Sequence, residues 1–291
     1  MVRAVAMVRL ARPLILPGGI LAYTLGTTMG YAQSGQFRWD RALAGLAVTE
    51  VANLMAHYAD EYADRDADML TRRTWFSGGS GVLPSGVVPA SWALCAALLC
   101  AVLAVVLAAG ALATGLLGWQ AAAIAGCGLA CGWVYSMPPV ALERRGLGEL
   151  DNAFIGGILM PLMGYVTQAR TISPAAMIAL LPIFLAVLAG LLPVHWADRF
   201  ADAAVGKRSL AVLLGPHTPA LHHLLIALSY LLAAAFAGRL LPVPAAVAML
   251  LTLPLGLWAT VGFGRRTSPV AGSLAMAGTL LATAVGWLVA V

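Results

Sequence analysis

The segment Glu50-Val-Ala-Asn53-Leu-Met-Ala-His57-Tyr-Ala-Asp60-Glu-Tyr-Ala-Asp64 carries a repeated polar spacing at the end of an apolar stretch. Its five numbered residues are separated by 3, 4, 3 and 4 positions, so an α-helix places all five on one face. Acidic side chains are costly in hydrocarbon, and a membrane helix therefore turns them toward a bundle interior or a wet cavity. The segment predicts a membrane helix whose polar face lines an internal site.

The composition of the whole chain supports a membrane protein. Of 291 residues, 61% are hydrophobic and 10% are charged, whereas a soluble domain carries roughly 25% charged residues. The net charge of +5 gives no indication of nucleic-acid binding, and no nucleic-acid partner is predicted. These values exclude an ordinary soluble enzyme.

Nine apolar stretches are long enough to cross a bilayer as helices, which takes roughly 17 to 25 residues each. They are too long and too rich in Ala and Leu for barrel strands. They cover approximately 12–33, 41–62, 90–112, 117–137, 150–168, 173–195, 219–240, 243–263 and 268–290. We expect an all-α integral membrane protein, a single domain over 1–291, with nine transmembrane helices around a central cavity that opens to the cytoplasmic side.

The basic residues predict the orientation. With the N-terminus in the cytoplasm, 13 Lys and Arg residues lie inside and 4 lie outside, which satisfies the positive-inside rule. The inside set is Arg3, Arg9, Arg12, Arg65, Arg72, Arg73, Arg144, Arg145, Arg199, Lys207, Arg208, Arg265 and Arg266, and the outside set is Arg38, Arg41, Arg170 and Arg239. We expect a multi-pass protein of a bacterial or archaeal inner membrane.

A second aspartate pair, Asp198-Arg-Phe-Ala-Asp202, repeats the Asp-x-x-x-Asp spacing after the sixth stretch. Both pairs then end even-numbered helices on the cytoplasmic face. Two carboxylates one helical turn apart direct their oxygens to a common point, which suits Mg²⁺. Two facing pairs predict two or more Mg²⁺ ions around a diphosphate, with basic residues balancing its charge. The candidate basic residues are Arg72, Arg73, Arg199, Lys207 and Arg208.

A metal-diphosphate site in an apolar bundle predicts a lipophilic diphosphate, and isoprenyl diphosphates fit this description. Ionisation of their C–O bond gives an allylic cation that needs dry walls and aromatic faces such as that of Tyr135. His57 and His195 are open candidates for several roles. They could contact diphosphate, tune a carboxylate, deprotonate a phenol that accepts the prenyl group, or simply pack. Glu50 lies deeper and is a candidate contact of the acceptor or of a buried basic group. His217, His222 and His223 are expected to be ordinary loop or interface residues.

These motifs resemble the UbiA superfamily of intramembrane prenyltransferases. The family's first motif resembles N-D-x-x-D-x-x-x-D, and Ala56 and His57 stand here where its Asn and first Asp are usual. Asn53, one turn earlier, is the candidate for the missing amide. The stretch from Asp198 through Gly206-Lys-Arg-Ser209 resembles the branch that prenylates 1,4-dihydroxy-2-naphthoate for menaquinone. That branch also resembles Tyr135-Ser-Met-Pro-Pro139, Arg145-Gly-Leu-Gly-Glu-Leu150 and the early Arg12-Pro13 of this chain.

The resemblance implies a nine-helix fold and transfer of an isoprenyl group from isoprenyl diphosphate to an aromatic acceptor, for which 1,4-dihydroxy-2-naphthoate is the best candidate. It implies Mg²⁺ binding by the two aspartate pairs, with Asn53 as a further metal candidate. It implies diphosphate contacts by Arg73, Lys207 and Arg145.

Two other functions stay open from the sequence. The same fold can cyclise a prenyl chain without an acceptor, and the altered first motif favours considering this. An ion-coupled transporter would have acidic residues near the bilayer midplane, where only Glu50 is predicted. The sequence predicts neither the oligomeric state nor the prenyl length.

Overall fold

The computed structural model describes residues 2–263 and 268–291. Arg265 and Arg266, which the orientation argument counts as cytoplasmic, lie outside the described residues. The α-helices of the described residues are α1 Val2–Leu10, α2 Pro17–Ser34, α3 Trp39–Asp68, α4 Ala90–Ala113, α5 Trp119–Ser136, α6 Gly148–Phe154, α7 Met160–Ala169, α8 Pro174–Ala179, α9 Leu181–Ala204, α10 Leu210–Leu214, α11 Thr218–Phe236, α12 Val243–Leu250, α13 Leu253–Gly262 and α14 Val270–Val289.

Nine helical rods occupy the nine predicted stretches within the described residues. Some rods are interrupted: a π-helical turn, Ile155–Leu159, joins α6 to α7, and short breaks separate α8 from α9 and α12 from α13. Five helical segments meet a length and apolarity criterion for crossing a membrane. They are Ala90–Ala113, Pro174–Ala204, Leu210–Phe236, Val243–Gly262 and Val270–Val289. The predicted all-α membrane fold is confirmed.

Two predicted boundaries differ from the structure for local reasons. The first rod begins at Pro17 rather than at residue 12, because Arg12 has a left-handed backbone (φ 51°) and prolines follow it. The second rod continues to Asp68 rather than ending near residue 62. The sequence after Tyr62 contains no Gly or Pro to stop a helix, so its last turns carry the acidic residues beyond the apolar stretch.

Small residues allow the central rods to approach closely. A Cβ atom at Gly26 of α2 would overlap the backbone carbonyl of Pro161 in α7, and one at Gly164 would overlap that of Tyr23. Membrane helices commonly pack through such residues, because lipid provides no hydrophobic drive for helix association. Helix α9 is largely buried and packs against α11 and α14, which fixes the position of the second aspartate pair.

An apolar cleft lies between α3, α5, the π-helical turn and α7. It holds about 450 Å³ of free space, including its open mouth. On α3 it is lined by Thr49, Asn53 and Ala56, which lie on the same helical face as Asp60. The cleft therefore runs along the face that ends in the first aspartate pair.

Candidate metal centre

Three carboxylates converge at the end of α3. Asp60, Asp64 and Glu143 each offer an oxygen, and these oxygens all lie within 4.8 Å of one another. Glu143 comes from a short 3-10 helix, Leu142–Arg145, and its side chain is 1% exposed. No helical periodicity marks Glu143, because it belongs to an irregular segment between two prolines and Gly146. It is a site residue that sequence reasoning missed.

The oxygen atoms of this group suit a cation. Among the described residues, the buried atoms Asp64 Oδ1, Glu143 Oε1 and Asp198 Oδ1 accept no hydrogen bond. Buried carboxylate oxygens without donors are costly unless a cation balances them. Oxygen-only ligands of this kind are those that Mg²⁺ prefers. The residues therefore fit a divalent cation of this class.

Lys207 supplies positive charge to the same group. Its Nζ lies 2.6 Å from Asp64 Oδ2 and 2.6 Å from Glu143 Oε2, and the side chain is 4% exposed. Although burial opposes its charge, the neighbouring carboxylates Asp64 and Glu143 raise the pKa of Lys207 well above its usual value. Burial, and then the charge of Asp64, raise the pKa of Glu143 well above its usual value. The positive charge of Lys207 thus lies between two acidic side chains and balances negative charge on them.

A second cation, Arg12, holds the outer side of the first pair. Its Nη1 lies 2.7 Å from Asp60 Oδ2, and its Nε donates to Glu61 Oε1 at 2.5 Å. Glu61 is fully buried and also accepts from the backbone N–H (2.7 Å) and hydroxyl (2.6 Å) of Ser80. Neither Arg12 nor Glu61 was predicted as a site residue. Their pairing joins segments 49 positions apart, which helical periodicity does not reveal.

The Gly-rich loop after α3, residues 76–86, bridges Glu61 of α3 and Asp198 of the second aspartate pair. Its Gly78 N–H donates to Asp198 Oδ2 at 3.1 Å, while Ser80 bonds Glu61 at the end of α3. Arg73 donates to the Ser80 carbonyl at 2.5 Å. The loop therefore fastens α3 to α9, and it brings the second pair to the same end of the bundle as the first.

The second pair is held by its own turn. Ser209 Oγ donates to Asp202 Oδ2 at 3.3 Å, and the Lys207 N–H donates to the Asp202 carbonyl at 2.8 Å. His195 Nδ1 lies 3.8 Å from Glu149 Oε1, which also accepts the N–H of Leu210 at 2.8 Å. Glu149 thus connects His195 to the loop that carries Lys207.

Four predicted basic residues lie at the margin of this cluster. Arg72, Arg145 and Arg208 are exposed, and Arg145 donates to the Pro139 carbonyl at 2.8 Å. Arg199 stacks on the rings of Trp196 (3.8 Å) and Phe200 (4.2 Å) and donates to the Trp196 carbonyl. Of the predicted basic residues, the structure places Lys207 among the carboxylates and Arg73 against the bridging loop.

The deeper polar residues of α3 lie apart from the carboxylates. Asn53 lines the cleft, and the side chains of Asn53 and Glu50 both lie against Gly19 of α2. Glu50 Oε1 is buried without a hydrogen-bond partner among the described residues. Asn53 is seven positions before Asp60, roughly 10 Å along a helix. The structure thus associates Asn53 with the cleft rather than with the acidic cluster.

His57 and Tyr135 lie close to the junction of cleft and carboxylates. Both are partly buried, His57 one turn before Asp60 and Tyr135 in the last turn of α5. Neither side chain makes a hydrogen bond within the part of the chain that the structure describes.

The expectation for His222 was wrong: it is a fully buried residue of α11, not a loop or interface residue.

The model of the UbiA prenyltransferase family matches residues 20–281, nearly the whole chain. The chain belongs to this family. A search of curated protein sequences gave no match. The match to the family model confirms the sequence resemblance to the UbiA superfamily, whereas the menaquinone branch stays a prediction.

Solved UbiA homologues share the fold at low sequence identity. A homologue from Archaeoglobus fulgidus, bound to DMAPP and Mg²⁺, is 16% identical with a TM-score of 0.69 over 97% of this chain and 99% of that one. The apo homologue from Aeropyrum pernix K1 is 18% identical with a TM-score of 0.69 over 92% and 97%. A structure described for digeranylgeranylglyceryl phosphate synthase in membranes is 16% identical with a TM-score of 0.65 over 99% of both chains.

Proposed function

We propose that this protein is a Mg²⁺-dependent prenyltransferase that moves an isoprenyl group from isoprenyl diphosphate to an aromatic acceptor. One observation carries the proposal: Asp60 and Asp64 of the carboxylate cluster lie on the face of α3 that also lines the apolar cleft. The cluster suits a metal-bound diphosphate, and the cleft suits a hydrocarbon chain. The A. fulgidus homologue, bound to DMAPP and Mg²⁺, supports the same pairing.

The metal ligands that we propose are Asp60, Asp64, Asp198 and Asp202, with Glu143 added from the structure. When bound there, Mg²⁺ would supply Lewis-acid stabilisation of the leaving diphosphate. Lys207, already among the carboxylates, is placed to contact the diphosphate as its negative charge develops. Arg73 and the N–H groups of the Gly-rich loop are further candidate contacts.

The cleft has the properties that the ionised prenyl chain requires. Its lining is mainly Ala, Gly, Ile, Leu and Met side chains, which exclude water from an allylic cation. His57 follows Ala56, and Tyr135 lies one turn after Gly132; Ala56 and Gly132 both line the cleft. We propose that the ring of Tyr135 stabilises the cation. We propose that the acceptor hydroxyl approaches His57, which takes up its proton.

For the acceptor we propose 1,4-dihydroxy-2-naphthoate, which rests on the resemblance of the second motif and of the separate stretch Tyr135-Ser-Met-Pro-Pro139. We also propose that the carboxylate end of the bundle faces the cytoplasm, as the basic residues predict. Acidic side chains cluster at helix ends here, which gives no support to an ion-coupled transporter.

Cyclisation of the prenyl chain is the second candidate function. The observation that favours it is the pair Ala56 and His57, which replace the usual Asn and Asp of the first motif beside the cleft. A cation that meets no acceptor carbon in this cleft would close on its own chain and lose a proton.

The deciding experiment is a product screen by mass spectrometry with purified protein. Prenyl diphosphates of several lengths are crossed with aromatic acceptors and with no acceptor, and Asp64→Asn is run beside the control Asp66→Asn. Asp66 is 58% exposed in the same helix and pairs only weakly with Arg65. We expect a prenylated aromatic product that D64N abolishes and D66N leaves unchanged. Hydrocarbon products without acceptor would establish cyclisation, and no product from any pair would contradict both functions.

A further inference from the structure

A proline interrupts the hydrogen bonding of the helix that carries the second aspartate pair. Pro193 lies inside α9, two residues before His195 and five before Asp198. Because proline has no N–H, the carbonyl of Ala189, four residues earlier, receives no helical hydrogen bond. Ala189 is fully buried, so water cannot replace the missing donor. A buried carbonyl of this kind needs a partner from elsewhere.

The partner is the imidazole of His222 in α11. Its Nδ1 lies 2.9 Å from the Ala189 oxygen, and His222 is fully buried. A carbonyl only accepts, so Nδ1 carries the proton, and in the neutral ring Nε2 is the unprotonated nitrogen. Nε2 is buried and has no hydrogen-bond partner among the described residues. The single N–H of this ring therefore donates to the Ala189 carbonyl, which the proline leaves without a helical donor.

Neighbouring side chains hold the same point of α9 from other directions. A Cβ atom at Gly272 of α14 would lie 2.8 Å from Pro193 Cγ, so α14 packs directly on the proline ring. The Phe263 ring lies 4.7 Å from the His222 ring and 5.8 Å from that of Trp196, one turn beyond the proline. Packing and one hydrogen bond thus hold the segment of α9 around Pro193.

We propose that His222 is a positioning residue, which sets the direction of the last turns of α9 by capping the Ala189 carbonyl. Asp202 is nine residues beyond Pro193, roughly 13 Å along the helix. A change of about 10° in the direction of α9 beyond Pro193 would move Asp202 by roughly 2 Å, given that length. Metal and diphosphate contacts tolerate little such movement. The effect on catalysis rests on the proposed function, whereas the capping does not.

The test is a double-mutant cycle between His222 and Pro193. His222→Leu removes the donor, and Pro193→Ala restores a backbone N–H to the Ala189 carbonyl. Each variant is measured by thermal unfolding and by the Mg²⁺ concentration that gives half-maximal diphosphate release. We expect H222L to raise that concentration about 10-fold, as when a supporting hydrogen bond is lost, and to lower Tm by about 3 °C. In the P193A background, H222L should change both quantities by less than half as much.

Two further variants separate positioning from general packing. His222→Asn keeps an N–H two bonds from Cβ and should return the Mg²⁺ requirement to within about 3-fold of the native value, given the same hydrogen bond. The matched control is Ser229→Ala, which removes another α11 bond to α9, from Ser229 Oγ to the Pro182 carbonyl at 2.8 Å. That carbonyl keeps its helical donor at Ala186, so S229A should leave the Mg²⁺ requirement unchanged.

The outcomes against the proposal are specific. Equal effects of H222L with and without P193A, in both Tm and Mg²⁺ requirement, would overturn it. An S229A effect on the Mg²⁺ requirement as large as that of H222L would overturn it as well. If the native protein releases no diphosphate, the proposed function fails, and the Tm cycle alone still confirms or rejects the capping.

Discussion

At the scale of single residues, the site depends on carboxylates whose negative charges are balanced in different ways. Arg12 balances Asp60 and Glu61, whereas Lys207 lies between Asp64 and Glu143. Removing one partner of a buried ion pair leaves the other charge uncompensated, which costs more than the pair contributes. Each of these residues should therefore show a distinct effect when replaced.

Glu143→Gln tests whether Glu143 belongs with the aspartates. The amide keeps the size of the side chain but loses a metal-binding oxygen and its charge. We expect the Mg²⁺ or Mn²⁺ dissociation constant, measured by calorimetry with a prenyl diphosphate analogue, to rise about 10-fold. Arg144→Gln, in the same 3-10 helix, is the control and should bind metal as the native protein does. Unchanged metal binding in E143Q would remove Glu143 from the ligand set.

Arg12→Leu tests the outer ion pairs. The change leaves Asp60 and the fully buried Glu61 without their cation, which should lower the stability by about 3 kcal/mol. Thermal unfolding in detergent measures the loss. Arg65→Leu is the comparison, because Arg65 is 41% exposed and lies 3.8 Å from its acidic neighbour Asp66, so its loss should cost less than about 1 kcal/mol. Equal melting temperatures for the two variants would contradict this account of Arg12.

At the scale of elements, the Gly-rich loop is the connection that joins α3 to α9. It contributes Gly78 and Ser80, whose hydrogen bonds reach Asp198 and Glu61 respectively. Its glycines permit this path, since Gly78, Gly79 and Gly81 all have positive φ. The loop thus contacts acidic side chains of both helices.

Ser80→Ala should loosen this loop. Loss of the hydroxyl bond to the buried Glu61 oxygen costs about 1 to 2 kcal/mol, and it should speed cleavage near Arg72 and Arg73 by trypsin in the native state. Ser85→Ala is the control, because among the described residues the Ser85 hydroxyl bonds only to the nearby Val82 carbonyl. If S80A and S85A are cleaved at the same rate, the hydroxyl bond of Ser80 does not hold the loop.

At the scale of the whole molecule, the sequence predicted the rods well and the site in part. Apolar stretches such as 90–112 are recognisable because a membrane helix needs a minimum length, and α4 occupies Ala90–Ala113. The 3-4 spacing also predicted that Asp60 and Asp64 share a face. The single-domain organisation stays a prediction. Glu143, Arg12 and His222 were missed because their roles depend on contacts between distant segments, which no local period records.

The two aspartate pairs are proposed to bind the metal for one reaction. The most direct test measures diphosphate release against Mg²⁺ concentration for the native protein, Asp64→Asn and Asp198→Asn, with exposed Asp66→Asn as control. We predict that D64N and D198N each reduce turnover at least about 100-fold at saturating prenyl diphosphate, because each removes a charged ligand, while D66N keeps the native curve. Full Mg²⁺-dependent turnover in either D64N or D198N would contradict the claim.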